Sequence, residues 1–356
     1  QSPKDGFSEQ NPQEWIDSTM KCFEVLKLKK PNEFSQTVSL GISGHMHGAT
    51  LIDKDGNVIR PCILWNDTRS HKECEEFEKQ NFDVRSISGN ITMPGFTAPK
   101  INWIKNNEID NFKKIFKVLL PKDYLRFVLT GEFFSEMSDA SGTLWLDIKK
   151  RKWSNQLLSC SHLEEKHMPT LVEGNEETGI LKRDLKDKFN FINDIKVVGG
   201  AGDNAAAAIG MGIINKNQSF ISLGTSGVFF TPTENSLSNI GDAVHSFCHC
   251  LPNKWHLMSV MLSASNCLDW ICAVTNTSIA DTLNNVENLY SDKNSIKNSS
   301  YFLPYLSGER TPHNDPHIRG SFHSIKTTTN STDLQYAVIE GVSFGILDGV
   351  NSILKV

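Results

Sequence analysis

No run of apolar residues in this chain reads as long enough to span a bilayer, and no signal peptide opens it. Long blocks of like charge are also missing. The net charge is only −5, so a broad electrostatic footprint for nucleic acid is excluded. No internal repeat and no low-complexity tract is visible, which sets aside solenoids and disordered linkers. The eight cysteines are scattered through the sequence rather than spaced as a disulfide framework, and they read as reduced thiols of a cytoplasmic protein. Their one dense cluster, His245-Ser-Phe-Cys248-His249-Cys250, lacks a second ligand pair at zinc-finger spacing. It reads as a strand more readily than as a metal site.

What remains is an ordinary globular composition, 38% hydrophobic and 22% charged over 356 residues, enough for two domains with sizeable cores. Residues 12–30 read as a helix opened by Pro12, with Trp15, Met20, Phe23 and Leu26 near helical spacing. A strand over 37–43 runs into Gly44-His-Met-His-Gly48. A hairpin turning at Asp55-Gly56 and a strand over 61–65 follow. Residues 70–170 read as largely helical. The strand 196–198 feeds Gly199-Gly-Ala-Gly-Asp203 and an alanine-rich helix over 204–211. Strands at 219–223, 228–230 and 256–260, then helices from Ser263 and over 333–349, complete an α/β pattern. The change from strand-fed helix to hairpin near 212 marks the expected domain boundary.

Several constellations can carry chemistry. Asp203 ends a strand, follows glycines and opens a helix. It serves there either as an N-cap or as an ionised base that accepts a proton from a hydroxyl. The turn Gly224-Thr225-Ser226-Gly227 offers backbone amides and two hydroxyls to an anion, or is a plain hairpin turn. It is not a Walker A loop, because no lysine follows in the required place. In Gly44-His45-Met46-His47-Gly48, histidine can hydrogen-bond sugar hydroxyls and methionine can pack on a carbon skeleton, or the segment is a solvated tight turn. Trp65-Asn66-Asp67-Thr68-Arg69 either lines a polyol site or holds a loop through an Asp67–Arg69 ion pair.

Taken in order, these segments resemble the FGGY carbohydrate kinases, and among them the members that act on D-xylulose. The resemblance rests on Ser43-Gly-His-Met-His-Gly48, Ile63-Leu-Trp-Asn-Asp67, Leu120-Pro-Lys-Asp-Tyr-Leu125, Ala201-Gly-Asp-Asn-Ala-Ala206, Ser222-Leu-Gly-Thr-Ser-Gly227, Val244-His-Ser-Phe-Cys-His249 and Leu303-Pro-Tyr-Leu-Ser-Gly-Glu-Arg-Thr-Pro-His313. The two family signatures fall on Gly95–Ile104 and on Gly320–Ser324 through Glu340, with Ser324 where the family usually has glycine.

The resemblance implies two actin-like, ribonuclease-H-like α/β domains with a cleft between them. They would span 1–211 (sugar-binding) and 212–356 (nucleotide-binding). It implies ATP-dependent phosphorylation of D-xylulose, with Asp203 as catalytic base and Met46, His47 and Asn204 on the sugar. Gly224, Thr225 and Ser226 would face the ATP phosphates, and Mg²⁺ would accompany the nucleotide. Met46-His47 favours ketose-acting members over glycerol-acting ones, which carry charged residues there. Alternatives are another FGGY kinase (for ribulose, an alditol or glycerol) and an inactive sugar-binding remnant. A homodimer would be ordinary for the family. The family's opening Asp-x-Gly-Thr and its closing glycine-rich adenosine segment have no counterpart in this sequence. The chain is therefore expected to be a kinase lacking its first strands and its C-terminal part, weak or inactive alone, with an unpaired sheet edge in its first domain.

Overall fold

The structure, a computed structural model, describes residues 2–291 and 300–356. The chain divides into two compact units. The first comprises residues 1–214, 234–236 and 247–255, and the second 215–233, 237–246 and 256–356.

In the first unit the helix Pro12–Lys29 begins where the Asn11 side chain accepts from the Gln13 amide, with Pro12 in the first turn. It buries Ile16 and Phe23, seven residues apart on one face. Phe23 meets Phe34, Phe189 and Phe191 in an aromatic cluster closed by Leu129, Leu181 and Ile195. Its rings pack edge-on at 5.2 Å (Phe23–Phe189) and tilted at 4.6 Å (Phe34–Phe191). A three-stranded sheet runs in the order Glu177–Ile180, Lys196–Val198, Ser39–Leu40. The first pair is antiparallel and the second parallel. Further along the same two segments, Ser43–Gly44 pairs in parallel with Ala201–Gly202, opposing Ser43 to Ala201 and Gly44 to Gly202. Two stretches of chain more than 150 residues apart thus run side by side and end together.

The largely helical expectation for 70–170 needs correction. Helices such as Thr97–Asn107 and Pro121–Thr130 are present. Short strands at Lys117–Leu119, Phe134–Glu136, Leu146–Asp147 and Lys152–Trp153 interrupt them. Two or three residues are too few for a strand period to show in sequence, and it is their partners Thr50–Ile52 and Thr170–Val172 that make two of them strands.

A four-stranded sheet, most of whose residues belong to the second unit, has the order Phe220–Leu223, Gly227–Thr233, Trp255–Met261, His245–Cys248. Of the His245 cluster, His245–Cys248 is strand, and His249 and Cys250 lie just beyond its end. The helix Ser331–Leu354 starts with a reciprocal capping box between Asn330 and Asp333. It packs against the strand Tyr301–Leu303 and the helices Ser265–Thr275 and Ile279–Ser291. By length and composition it could cross a membrane, which the sequence reading did not anticipate. Here it buries Tyr336, Ala337 and Val338, and Ala337 and Val338 pack with Phe302, Ile271 and Cys267 in a core cluster. Ser324, the departure from the family's glycine, holds φ +61°, the left-handed region that glycine adopts at least cost.

Candidate active site

The parallel pairing of Gly44 with Gly202 brings two motifs into one place. A Cβ added to Gly202 would lie 3.2 Å from both Cγ and Sδ of Met46, so Met46 packs directly under the residue that precedes Asp203. Asp203 is the first residue of the helix Asp203–Gly210. The N-cap is Gly202, and no side chain caps this helix. Capping therefore does not account for Asp203. Asp203 reaches solvent, but protein encloses most of its carboxylate, and the Asn204 amide donates to it at 3.3 Å. Burial by the surrounding protein raises its pKa above the ordinary 3.8, while hydrogen bonds from Asn204 act the other way.

His47 is fixed from three sides. Its backbone has φ +68°, a left-handed conformation that costs of order 1–3 kcal/mol in a non-glycine residue. The Thr97 hydroxyl and the Lys100 ammonium both donate to its carbonyl oxygen, at 3.1 and 2.9 Å. Its Nδ1 lies 2.7 Å from the Gly142 carbonyl, and Phe96 packs edge-on at 4.8 Å. A Cβ on Gly142 would fall 2.7 Å from the imidazole and 2.9 Å from the Met46 methyl. His45 is half-buried. Burial, helped by the charge of Lys100, pushes its pKa down to about 4, so it is neutral at neutral pH.

Below the Asp203 turn lies an ionic network with no exposed side chain. Lys122 is 3.0 Å from Asp123, 3.4 Å from Asp139 and 3.7 Å from Glu136, and Arg126 is 2.8 Å from Asp123. Burial disfavours the charges of Lys122 and Asp123, but each is outweighed by its neighbours. Lys122 is held above its usual pKa and Asp123 below its own. Asp139 is the exception. Burial raises it well above the carboxylate range, and the negative charges of Asp123, Glu136 and Asp203 add to this against Lys122. The network grips the turn itself: Arg126 donates to the Gly199 carbonyl, and the Gly202 amide donates to the Ser138 hydroxyl at 2.9 Å. That hydroxyl in turn donates to Glu136 at 2.8 Å.

Trp65 is exposed, while Asp67 and Arg69 form a two-pronged buried pair with bonds of 2.7–3.0 Å, so the ion-pair role holds for these two.

In the second unit Gly224, Thr225 and Ser226 link the hairpin strands. The Ala264 and Ser265 amides donate to the carbonyls of Thr225 and Gly224, each at 2.9 Å, and the Gly224 amide is taken up by the Ser226 carbonyl. Among the described residues the amides of Thr225 and Ser226 donate to no protein acceptor. The turn is pinned by its carbonyls with two donors left over.

Residues 1–210 match the N-terminal domain of the FGGY family of carbohydrate kinases, and residues 219–355 match its C-terminal domain. The chain belongs to this family. FGGY relatives include the xylulose kinase of Escherichia coli K12, 47% identical over 97% of this chain and 70% of the relative. The xylulose kinase of Klebsiella pneumoniae is 45% identical over 97% of this chain and 70% of its own. Among solved FGGY structures, a xyloylose kinase of Brucella ovis superposes with TM-score 0.94 at 46% identity, covering 100% of this chain and 72% of that one. The actin-like two-domain fold of FGGY kinases follows from these matches.

Sequence motifs located Met46, His47, Asp203 and Asn204, and the structure gathers them. They did not single out Thr97, Lys100, Lys122, Arg126, Glu136, Ser138 or Asp139. Leu120-Pro-Lys-Asp-Tyr-Leu125 was visible as a family segment, but nothing in the sequence marks Lys122, Asp123 and Arg126 as buried.

Proposed function

We propose that this chain transfers the terminal phosphoryl group of ATP to a hydroxyl of D-xylulose, giving D-xylulose 5-phosphate. Its class is a phosphotransferase with an alcohol acceptor. The supporting relatives are kinases of that sugar at up to 47% identity over nearly the whole chain. The observation that carries the chemical reading is the Gly44–Gly202 pairing, which sets an ionisable carboxylate beside a methionine and a histidine suited to a polyol.

In this reading the first unit, to about residue 211, binds the sugar. Met46 packs against its carbon chain, and His47 and Asn204 hydrogen-bond its hydroxyls. Asp203 takes the proton of the attacking hydroxyl as its oxygen bonds to the phosphorus and the bond to the departing ADP breaks. Burial raises its pKa above the ordinary carboxylate value, which makes the ionised group a stronger proton acceptor. The second unit, from about 212, binds nucleotide. Its Gly224–Ser226 turn offers the amides of Thr225 and Ser226 and two hydroxyls to the phosphates.

Among the described residues no three His, Cys, Asp or Glu side chains converge as a resident metal site. Mg²⁺ is proposed to arrive on ATP, held chiefly by phosphate and water oxygens, and no step is assigned to it here. A cytoplasmic location and a homodimer accompany the reading.

The test is a coupled ADP-release assay on the full-length protein with D-xylulose, ribulose, an alditol and glycerol. The highest kcat/KM is expected with D-xylulose. A better rate with any other substrate overturns the sugar assignment.

A further inference from the structure

Lys100 is fully buried, and its two hydrogen bonds go to backbone carbonyls rather than to a carboxylate. An ammonium taken out of water normally needs a counter-charge. Of the acidic groups that influence it, the Cys62 thiol is itself pushed up to about 11 by burial, and Asp67 is already committed to Arg69. Burial accordingly pushes Lys100 down to about 7. Its donors reach two neutral carbonyls, His47 at 2.9 Å and Gly95 at 2.7 Å. These belong to the two segments whose rings meet, His47 and Phe96. The Thr97 hydroxyl reinforces the first grip. A buried amine without a counter-charge is a poor way to stabilise a fold, since an apolar side chain of similar volume usually does as well. Its position behind a left-handed His47 suits it to hold that conformation against relaxation.

We propose that Lys100 is the positioning residue for His47, stapling the His47 turn to the Gly95–Phe96 segment so that the imidazole is presented to the sugar. The inference rests on the reading of His47 as a sugar contact. Lys100 touches neither sugar nor the reacting atoms. Its loss should therefore weaken ground state and transition state equally, raising KM with little change in kcat.

The experiment compares Lys100→Met, Thr97→Val and His47→Ala in the full-length protein, with thermal midpoints and steady-state kinetics for D-xylulose and ATP. Lys100→Met keeps most of the stem and removes the charge. The expected result is a KM for D-xylulose raised about tenfold or more, with kcat within about threefold and KM for ATP unchanged. A folded Lys100→Met protein with the original KM overturns the proposal. Should that variant not fold, Thr97→Val decides. A KM for sugar raised about threefold at constant kcat supports the staple, and an unchanged KM overturns it. An unchanged sugar KM in His47→Ala would instead sink the underlying assignment of His47, whatever Lys100→Met does.

Discussion

The backbone amide of Gly202 donates to the Ser138 hydroxyl at 2.9 Å, tying the residue before Asp203 to a buried serine that donates onward to Glu136. The Asp203 carboxylate is thus carried on a turn braced from within the core, not on a free loop. Ser138→Ala would leave the Gly202 amide without its acceptor, costing about 1–3 kcal/mol of stability. Base misplacement should lower kcat roughly tenfold or more, with the sugar KM changed far less. Steady-state kinetics with a denaturation midpoint on the same sample would check both. An unchanged kcat would show that the brace has no part in placing Asp203.

Two glycines border Met46 and His47 with different tolerances. At Gly142 an added Cβ meets the imidazole of His47 at 2.7 Å and the Met46 methyl at 2.9 Å, and the imidazole is already fixed by its bond to the Gly142 carbonyl. At Gly202 it meets flexible Met46 at 3.2 Å. Gly142→Ala is expected to raise the sugar dissociation constant by about tenfold or more, and Gly202→Ala by about threefold or less. Calorimetric titration with D-xylulose would reveal the order, and the reverse order would contradict the placement of Met46 and His47.

Asp139 offers a stability test with a definite sign. Its carboxyl has a raised pKa in the folded chain, and its oxygens accept no hydrogen bond among the described residues. The stability linked to its proton is fully present below the unfolded-state pKa, near 3.8, and is lost as pH rises from there through the folded-state value. Asparagine mimics the protonated form and does not titrate, and Lys122 keeps Asp123 at 3.0 Å. Asp139→Asn should therefore be more stable than the parent at pH 7–8, and the advantage should shrink towards pH 4. Urea denaturation across that range would show it, and a loss of stability at neutral pH would mean that Asp139 is needed as an ion.

Much of this was legible in the sequence. The helix from Pro12, the strand into Gly199–Asp203 and the hairpin around Gly224–Gly227 all follow from local chemistry: caps, glycine turns and apolar spacing. The grouping of Met46, His47, Asp203 and Asn204 came from the order of motifs, because the strand pairing that causes it joins residues too far apart for any local pattern. The supporting shell was hidden for another reason. Lys100, Lys122, Asp123, Arg126 and Asp139 are charged residues on or beside helices, and charge in sequence implies solvent. Only packing shows them buried, with Lys100 and Arg126 donating to the backbone carbonyls of His47 and Gly199. From its own run alone, capping was the more ordinary role for Asp203 until Gly202 proved to be the cap.

The central claim is that Asp203 accepts the hydroxyl proton. Asp203→Asn keeps the size and the helix start and removes the basicity. The decisive measurement is its kcat for D-xylulose phosphorylation beside calorimetric sugar binding on the same preparation. A base of this kind contributes about 10²–10⁴-fold, so kcat is expected to fall by that factor while the sugar dissociation constant stays within about threefold. In the parent enzyme activity should fall as pH drops through the raised pKa of Asp203, above 3.8, because only the ionised carboxylate can take the proton. An Asp203→Asn protein that binds sugar normally and turns over at the parent rate would contradict the account.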